Sequence, residues 1–338
     1  MMTANNAVSA AHPKHSPAPA ASVLASLFAR REASVFLAAV VMFVGLSLST
    51  DTFLTQGNLL NLLKQISLLG IVAVGVTFVF IAGEIDLSVG ALHGLLAIVF
   101  AILTIGNGMN PYAAALLVIA CGMAAGTLSG FLATKLRLPS FIVTLGMLSI
   151  FKGVTLVVSG GQPVSGSFDP VFRDVFSGIY FDFVPAQAIW LCAAAVFGIY
   201  LLGYTSFGYH VFSTGGSKFA AQAVGISVDR IKMMAFALSG GLVAVASCIL
   251  VAWFRGADTQ AGSGLELSVI AAVIIGGTGL FGGTGSIVGT ILGALIIGMI
   301  SNGTVLLGID SYYEPIAQGV VIILAVTIDI WSKARSTR

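Results

Sequence analysis

Between residues 34 and 331 the sequence is a succession of long apolar runs broken by short polar joints, and the runs are continuous rather than alternating. Backbone polar groups find no partner in hydrocarbon, so a chain that crosses a bilayer does so as helices or as a closed barrel. A barrel strand alternates apolar and polar residues, whereas a spanning helix needs about 20 consecutive, mainly apolar ones. The pattern therefore predicts an all-α, polytopic membrane protein with about ten transmembrane helices. They fall near residues 34–50, 66–83, 88–106, 111–133, 141–158, 188–204, 233–254, 265–280, 286–304 and 315–332. Glycines or a charge interrupt the fifth, eighth and ninth.

Composition supports the same class. Only 8% of residues are charged and the mean hydropathy is +1.04, against about 25% charged residues in a soluble domain. Lys and Arg concentrate in short cytoplasmic loops. With the N-terminus inside, ten spans place Lys14, Arg30, Arg31, Lys135, Arg137, Lys218, Arg230, Lys232, Lys333, Arg335 and Arg338 in the cytoplasm, 11 of the 15 basic residues. Lys64, Arg173 and Arg255 fall outside and Lys152 within a span, so an even count with both termini cytoplasmic fits best. Residues 1–33 read as a disordered cytoplasmic tail rich in Ala and Pro, 34–332 as the transmembrane domain and 333–338 as a cytoplasmic C-terminus. The net charge of +2 is scattered over loops, which implies no nucleic-acid partner. Cys121, Cys192 and Cys248 lie in apolar spans without metal-ligand spacing and read as small core residues.

Two loops are long enough to do more than turn: 159–187, outside, and 205–232, inside. One string also occurs twice. Ile85-Asp86-Leu87-Ser88-Val89 opens the third span and Leu265-Glu266-Leu267-Ser268-Val269 the eighth. Five spans apart, the two enter the membrane from opposite faces, which is either an inverted five-helix repeat or a chance match.

Charges in or beside spans are costly, roughly 2.5 to 3.5 kcal/mol at a helix centre, and so mark candidates for a substrate pathway or gate: Glu84, Asp86, Lys152 and Glu266. Each also has a structural reading. Asp86 reads first as a cap for the third span, with substrate contact as the alternative, and Glu84 fits either role. Lys152 reads first as half of a structural ion pair, Glu266 as a cap of the eighth span, and His93 as a satisfied interior residue. No Ser/His/Asp set, metal cluster or Cys/His pair occurs at a usable spacing. Gly277-Thr278-Gly279-Leu280-Phe281-Gly282 fits GxGxxG, but no strand precedes it, so a turn with close helix packing is the better reading.

Ile81-Ala82-Gly83-Glu84-Ile85-Asp86-Leu87-Ser88-Val89-Gly90 closely resembles the AGGIDLSVG signature of permease subunits of bacterial ABC sugar importers, the ribose, xylose and arabinose class. Three more motifs follow in that family's order. They are Pro139-Ser140-Phe141-Ile142-Val143-Thr144-Leu145-Gly146-Met147, Ala220-Ala221-Gln222-Ala223-Val224-Gly225-Ile226 and Ile275-Gly276-Gly277-Thr278-Gly279-Leu280-Phe281-Gly282-Gly283. The chain departs from the pattern at Glu84, where the family has Gly, at Lys152, usually Arg, and at Ser268, commonly Asp.

The resemblance implies a transport subunit in the bacterial inner membrane that moves a monosaccharide or related polyol into the cytoplasm. Its partners would be a periplasmic sugar-binding protein, a second permease copy and a cytoplasmic ATPase. The ATPase is expected to dock on Ala220, Ala221, Gly225 and Ile226, whose alternative is a solvated linker. The sequence holds no GxxxxGK[ST] loop, and Val158-Ser159-Gly160-Gly161-Gln162, which resembles an ATPase signature, falls on the outer side. The expectation is therefore no cofactor and no ATPase site on this chain, with ATP used by the partner. A nucleoside or branched-chain amino acid permease, or a self-sufficient secondary transporter, are the alternatives.

Overall fold

The computed structural model describes residues 31–313 together with 315, 316, 318–320, 323, 324 and 327. The tail before residue 31 and the C-terminus after 327 lie outside the described residues, as does about half of the expected tenth span; the described positions within 315–327 are helical.

Among the described residues, eight helices are long and apolar enough to cross a membrane. They are α1 (Arg31–Ser49), α2 (Gln56–Ile81), α3 (Val89–Ala101, continued by a π-helical turn at Ile102–Gly106), α4 (Pro111–Lys135), α5 (Ser140–Ser159), α7 (Ala186–Tyr204), α10 (Val228–Phe254) and α12 (Ile287–Leu306). Local signals fix several ends. Asn110 accepts from the N–H groups of Tyr112 and Ala113 ahead of Pro111, and α5 stops at Gly160, which turns left-handed at φ +62°, a conformation glycine adopts without a Cβ penalty.

Two expected spans change most. The second span begins at Gln56, ten residues before the expected 66, and takes Lys64 and Gln65 into the helix. Lys64 Nζ lies 5.6 Å from the Trp253 ring centroid, which offsets part of its cost in an apolar segment. The eighth span shrinks to α11 (Leu265–Ile275), 11 residues, or about 17 Å at 1.5 Å per residue, too short to cross about 30 Å of hydrocarbon. Gly276 and Gly277 end it early, and non-helical stretches flank it on both sides.

The centre is built by α2 and α10, which are buried along most of their length. On one side α10 meets α4 through glycines spaced by four. A Cβ on Gly122 would strike the Gly240 carbonyl, one on Gly126 the Phe236 carbonyl, and one on Gly130 would come within 2.9 Å of Met233 Cα. Small residues let backbones approach where lipid supplies no hydrophobic drive. On the other side α2 packs on α12 through polar bridges: Thr77 with Thr290 at 2.8 Å and Asn58 reciprocally with Asn302 at 3.1 and 2.7 Å.

The 159–187 loop, long enough in the sequence to do more than turn, is structured. The short helix α6 (Pro170–Ser177), capped by Asp169, buries Phe172 against Phe176 at 4.1 Å, which stacks in turn on Trp190 at 4.6 Å. Strand β1 (Val164–Ser165) pairs antiparallel with β4 (Gly256–Ala257), and β2 (Ile179–Tyr180) with β3 (Val184–Pro185). The 205–232 loop folds as α8 (Ser206–Gly216) and α9 (Lys218–Ala223), with its last residues in the first turns of α10.

Candidate functional site

A cavity of about 520 Å³ opens beside the non-helical stretch that precedes α11. Its wall is assembled from Gln65 and Leu69 of α2, His93 of α3, Leu250 and Trp253 of α10, the stretch 262–264, Ser268 of α11 and Gln318. Non-helical backbone is tolerated at membrane depth where it lines a cavity, and the volume lies within the roughly 300–1,000 Å³ of small-molecule sites. Ser268 donates to Gln318 Oε1 at 3.2 Å. His93 is a satisfied interior residue, as its apolar setting suggests: Ser247 Oγ lies 2.9 Å from Nδ1. Gln65 is exposed on its helix and presents an amide to the cavity. Among the described residues the wall carries no Asp, Glu, Lys or Arg. A second cavity of about 410 Å³ shares Leu250, Phe254 and Gly262 with the first and opens beside β1 and β4.

The four charged candidates lie elsewhere. Asp86 is 3% exposed. Its Oδ1 accepts from the Ser88 N–H at 2.9 Å and from the Ser88 hydroxyl at 2.6 Å, a short closed turn at the entry to α3. Burial holds its carboxyl above the ordinary carboxylate range, and the two bonds from Ser88 oppose that shift. Glu84 accepts from Lys232 Nζ, with both side chains largely buried. Lys152 is exposed and forms no ion pair with any described residue, so the expected structural pair is not made; it borders a small cleft beside Gly94 and Ala261.

Glu266 does not cap α11. That place is taken by Gly264 at φ +81°, without a side-chain bond, while Glu266 Oε2 is buried without a hydrogen bond. A Cβ on Gly90 would collide with that carboxylate and come within 2.5 Å of the Gly262 carbonyl. The structure thus brings Gly90, the residue that follows the first string, against Glu266 of its echo.

The expected ATPase contact is only partly on the surface. In α9, Ser217 accepts from Ala220 N–H, and the helix closes with Gly225 at φ +84° and the Ile226 N–H on the Ala221 carbonyl at 3.0 Å, a Schellman ending. Ala221 is 3% exposed and Ile226 half-buried, so both face the protein rather than a partner. The outward face includes Ala220 and Gly225 together with two large residues outside the expected contact set, Phe219 at 83% and Val224 at 75% exposed.

Neutral polar groups at the cavity, Gln65, Ser263, Ser268 and Gln318, were also missed. Polar residues inside apolar runs, read together with Trp253, were the available signal.

Residues 58–326 match the family model described as the permease component of the branched-chain amino acid transport system. The ribose import permease of Bacillus subtilis (strain 168) is 40% identical over 87% of this chain and 91% of its own. The ribose import permease of Escherichia coli (strain K12) is 39% identical over 88% and 93%. The xylose transport system permease of Haemophilus influenzae is 32% identical over 89% and 96%. A fold of apolar helices around a broken segment and a cavity, matched over most of its length to such proteins, makes this chain a member of the ABC-importer permease family.

Proposed function

We propose that this chain is the membrane subunit of an importer that passes a pentose or similar neutral polyol through the 520 Å³ cavity. One observation carries the choice of substrate class: the described wall offers amides, hydroxyls, an imidazole and an indole but no carboxylate, ammonium or guanidinium. A neutral polyol needs hydrogen bonds and an apolar face, whereas an amino acid brings two charges whose burial demands partners. The sugars named for the relatives agree with this reading.

The chain borrows its energy. It lacks a phosphate-binding loop, binds no cofactor of its own and docks a separate ATPase on the exposed face of α9. A periplasmic binding protein delivers the substrate, and two permease copies act together in the bacterial inner membrane. The excess of Lys and Arg in alternate loops supports an orientation with both termini in the cytoplasm. An impermeant thiol reagent applied to intact cells should then label a cysteine at Ser165 and not one at Ser217; equal labelling rejects that orientation.

The decisive experiment is uptake of D-ribose, with L-leucine as the competing probe, by proteoliposomes holding the permease, its ATPase and its binding protein. Ribose uptake driven by ATP, unaffected by leucine, supports the reading; leucine uptake in its place overturns it. Gln65→Leu and Trp253→Ala should lower ribose uptake by about tenfold each, on the scale of 1 to 3 kcal/mol for a lost buried contact, with membrane yield unchanged. Phe219→Asp should reduce ATPase co-purification, and its full retention would move the docking site away from α9.

A further inference from the structure

The inner segment is anchored to the rest of the protein on both sides of α9, and both anchors reach the joint between α2 and α3. Ahead of α9, Gly215 packs on the Ile81 carbonyl and on Gly283 N, while a Cβ on Gly282 would come within 2.8 Å of Gly83 Cα and 3.0 Å of Gly215 Cα. Gly283 N–H donates to the Ile81 carbonyl at 2.9 Å. Three backbones therefore meet with no side chain between them.

Behind α9, Lys232 in the second turn of α10 donates to Glu84 Oε1 in the joint, and the two side chains are only 13% and 15% exposed. Asp229, three residues earlier, is held instead by Lys135 at 3.2 Å, which leaves Lys232 to Glu84. A cleft of about 290 Å³ beside the pair also carries Arg137 and Lys218. Neither forms an ion pair with any described residue.

The joint leads straight into α3. Past the Asp86 turn, Gly90 and Gly94 pack on the carbonyls of Gly262 and Ala261, and His93 reaches the cavity wall. A displacement of α9 is thus shared with residues 82–88, and a displacement of those residues is shared with the cavity.

We propose that Glu84 and Lys232 are positioning residues that hold the joint to the ATPase-docking segment throughout the transport cycle, so that motion of α9 reaches the His93 face of α3. The inference rests on the importer reading above. A pair so sheltered is screened less than a surface pair, and removing one partner leaves the other charge uncompensated. That makes it a link that transmits displacement rather than one that frays.

The test compares wild type, E84Q, K232Q and the charge-swapped E84K/K232E in proteoliposomes with the ATPase and binding protein, measuring D-ribose moved per ATP hydrolysed. Both single variants should keep ATP hydrolysis and lose about fivefold or more of the transport per ATP, within the range of coupling between contacting residues. The swap should return to within about twofold of wild type.

A second arm cross-links E84C/K232C in a cysteine-free background with a short bifunctional methanethiosulfonate, and transport should survive the tether. The proposal is overturned by wild-type stoichiometry in both single variants, by a loss the swap does not restore, by loss of folded yield in all three charge variants, or by arrest on cross-linking. Failure of the wild type to transport ribose under ATP would instead reject the importer reading itself.

Discussion

The helices beginning at Val89 and at Leu265 carry nearly the same string at their entries, yet the two carboxylates behave oppositely. In the first, Asp86 is closed onto Ser88 and Glu84 is paired with Lys232, so every charge of the joint is committed. In the second, Glu266 Oε2 has no hydrogen bond and the corresponding Ser268 reaches across to Gln318. The cause is one methylene and one glycine. Aspartate is short enough to accept from the N–H two residues on, whereas glutamate overshoots it. Gly264, at φ +81°, starts α11 at the first residue of its string, while α3 starts only at the fifth residue of its own. The first joint is thereby a fixed element, and the second leaves its polar groups beside the cavity.

The largest expected effect breaks the contact of Gly90, just past the first string, with Glu266 of the second. Gly90→Val adds atoms where the Glu266 carboxylate and the Gly262 carbonyl already stand. The carboxylate is the end of a flexible side chain and can shift, whereas the Gly262 carbonyl is backbone held by the Leu265 N–H at 3.1 Å. The expected loss is about 2 to 3 kcal/mol, at the upper end for overpacking, read as a lower unfolding temperature in detergent. Gly90→Val with unchanged stability would mean that the entries of the two helices are not pressed together.

The next effect concerns the closed joint alone. Asp86→Leu removes both bonds to Ser88 and should cost about 0.5 to 2 kcal/mol. Asp86→Asn keeps an acceptor and removes a buried charge. Burial raises this carboxyl above the ordinary carboxylate range, so the folded chain binds the proton more readily than the unfolded one. The stability that follows is fully present below the unfolded value and is lost as pH rises through the folded one. At pH 7 Asp86→Asn should therefore be at least as stable as wild type. A stability loss equal to that of Asp86→Leu would show that the charge itself holds the joint.

Most of the fold was legible because apolar runs long enough to span have few other ways to be satisfied. Where the reading slipped, a neighbour made the difference. Lys64 and Gln65 interrupted the second run, but the helix continues through them because Trp253 lies under one and a cavity beside the other. Residues 265–280 looked like one run, but Gly276 and Gly277 end the helix, and a Cβ on Gly276 would strike the Gly289 carbonyl. The site was less legible because charge was the cue used, while the cavity is walled by neutral polar groups contributed by segments far apart in sequence. The α9 motif was found, but which of its residues face outward depends on the helix's packing: Ala221 is turned in and Phe219 out.

The smallest expected effect on stability, and the sharpest for the comparison, is at the open joint. Glu266→Gln removes a charge that has no hydrogen bond at Oε2 and supplies an amide that can donate to the adjacent Gly262 carbonyl, so stability should stay within about 0.5 kcal/mol of wild type. Glu266→Asp shortens the side chain toward the geometry of Asp86. Because α11 already begins at Leu265, the N–H two residues on, that of Ser268, lies inside the helix and bonds to the Gly264 carbonyl at 3.3 Å. Glu266→Asp therefore cannot copy the closed turn and should bring no gain in unfolding temperature. A gain of a few degrees would show that side-chain length alone separates the two joints, and that the early helix start at Gly264 follows from the glutamate rather than forcing it to stay open.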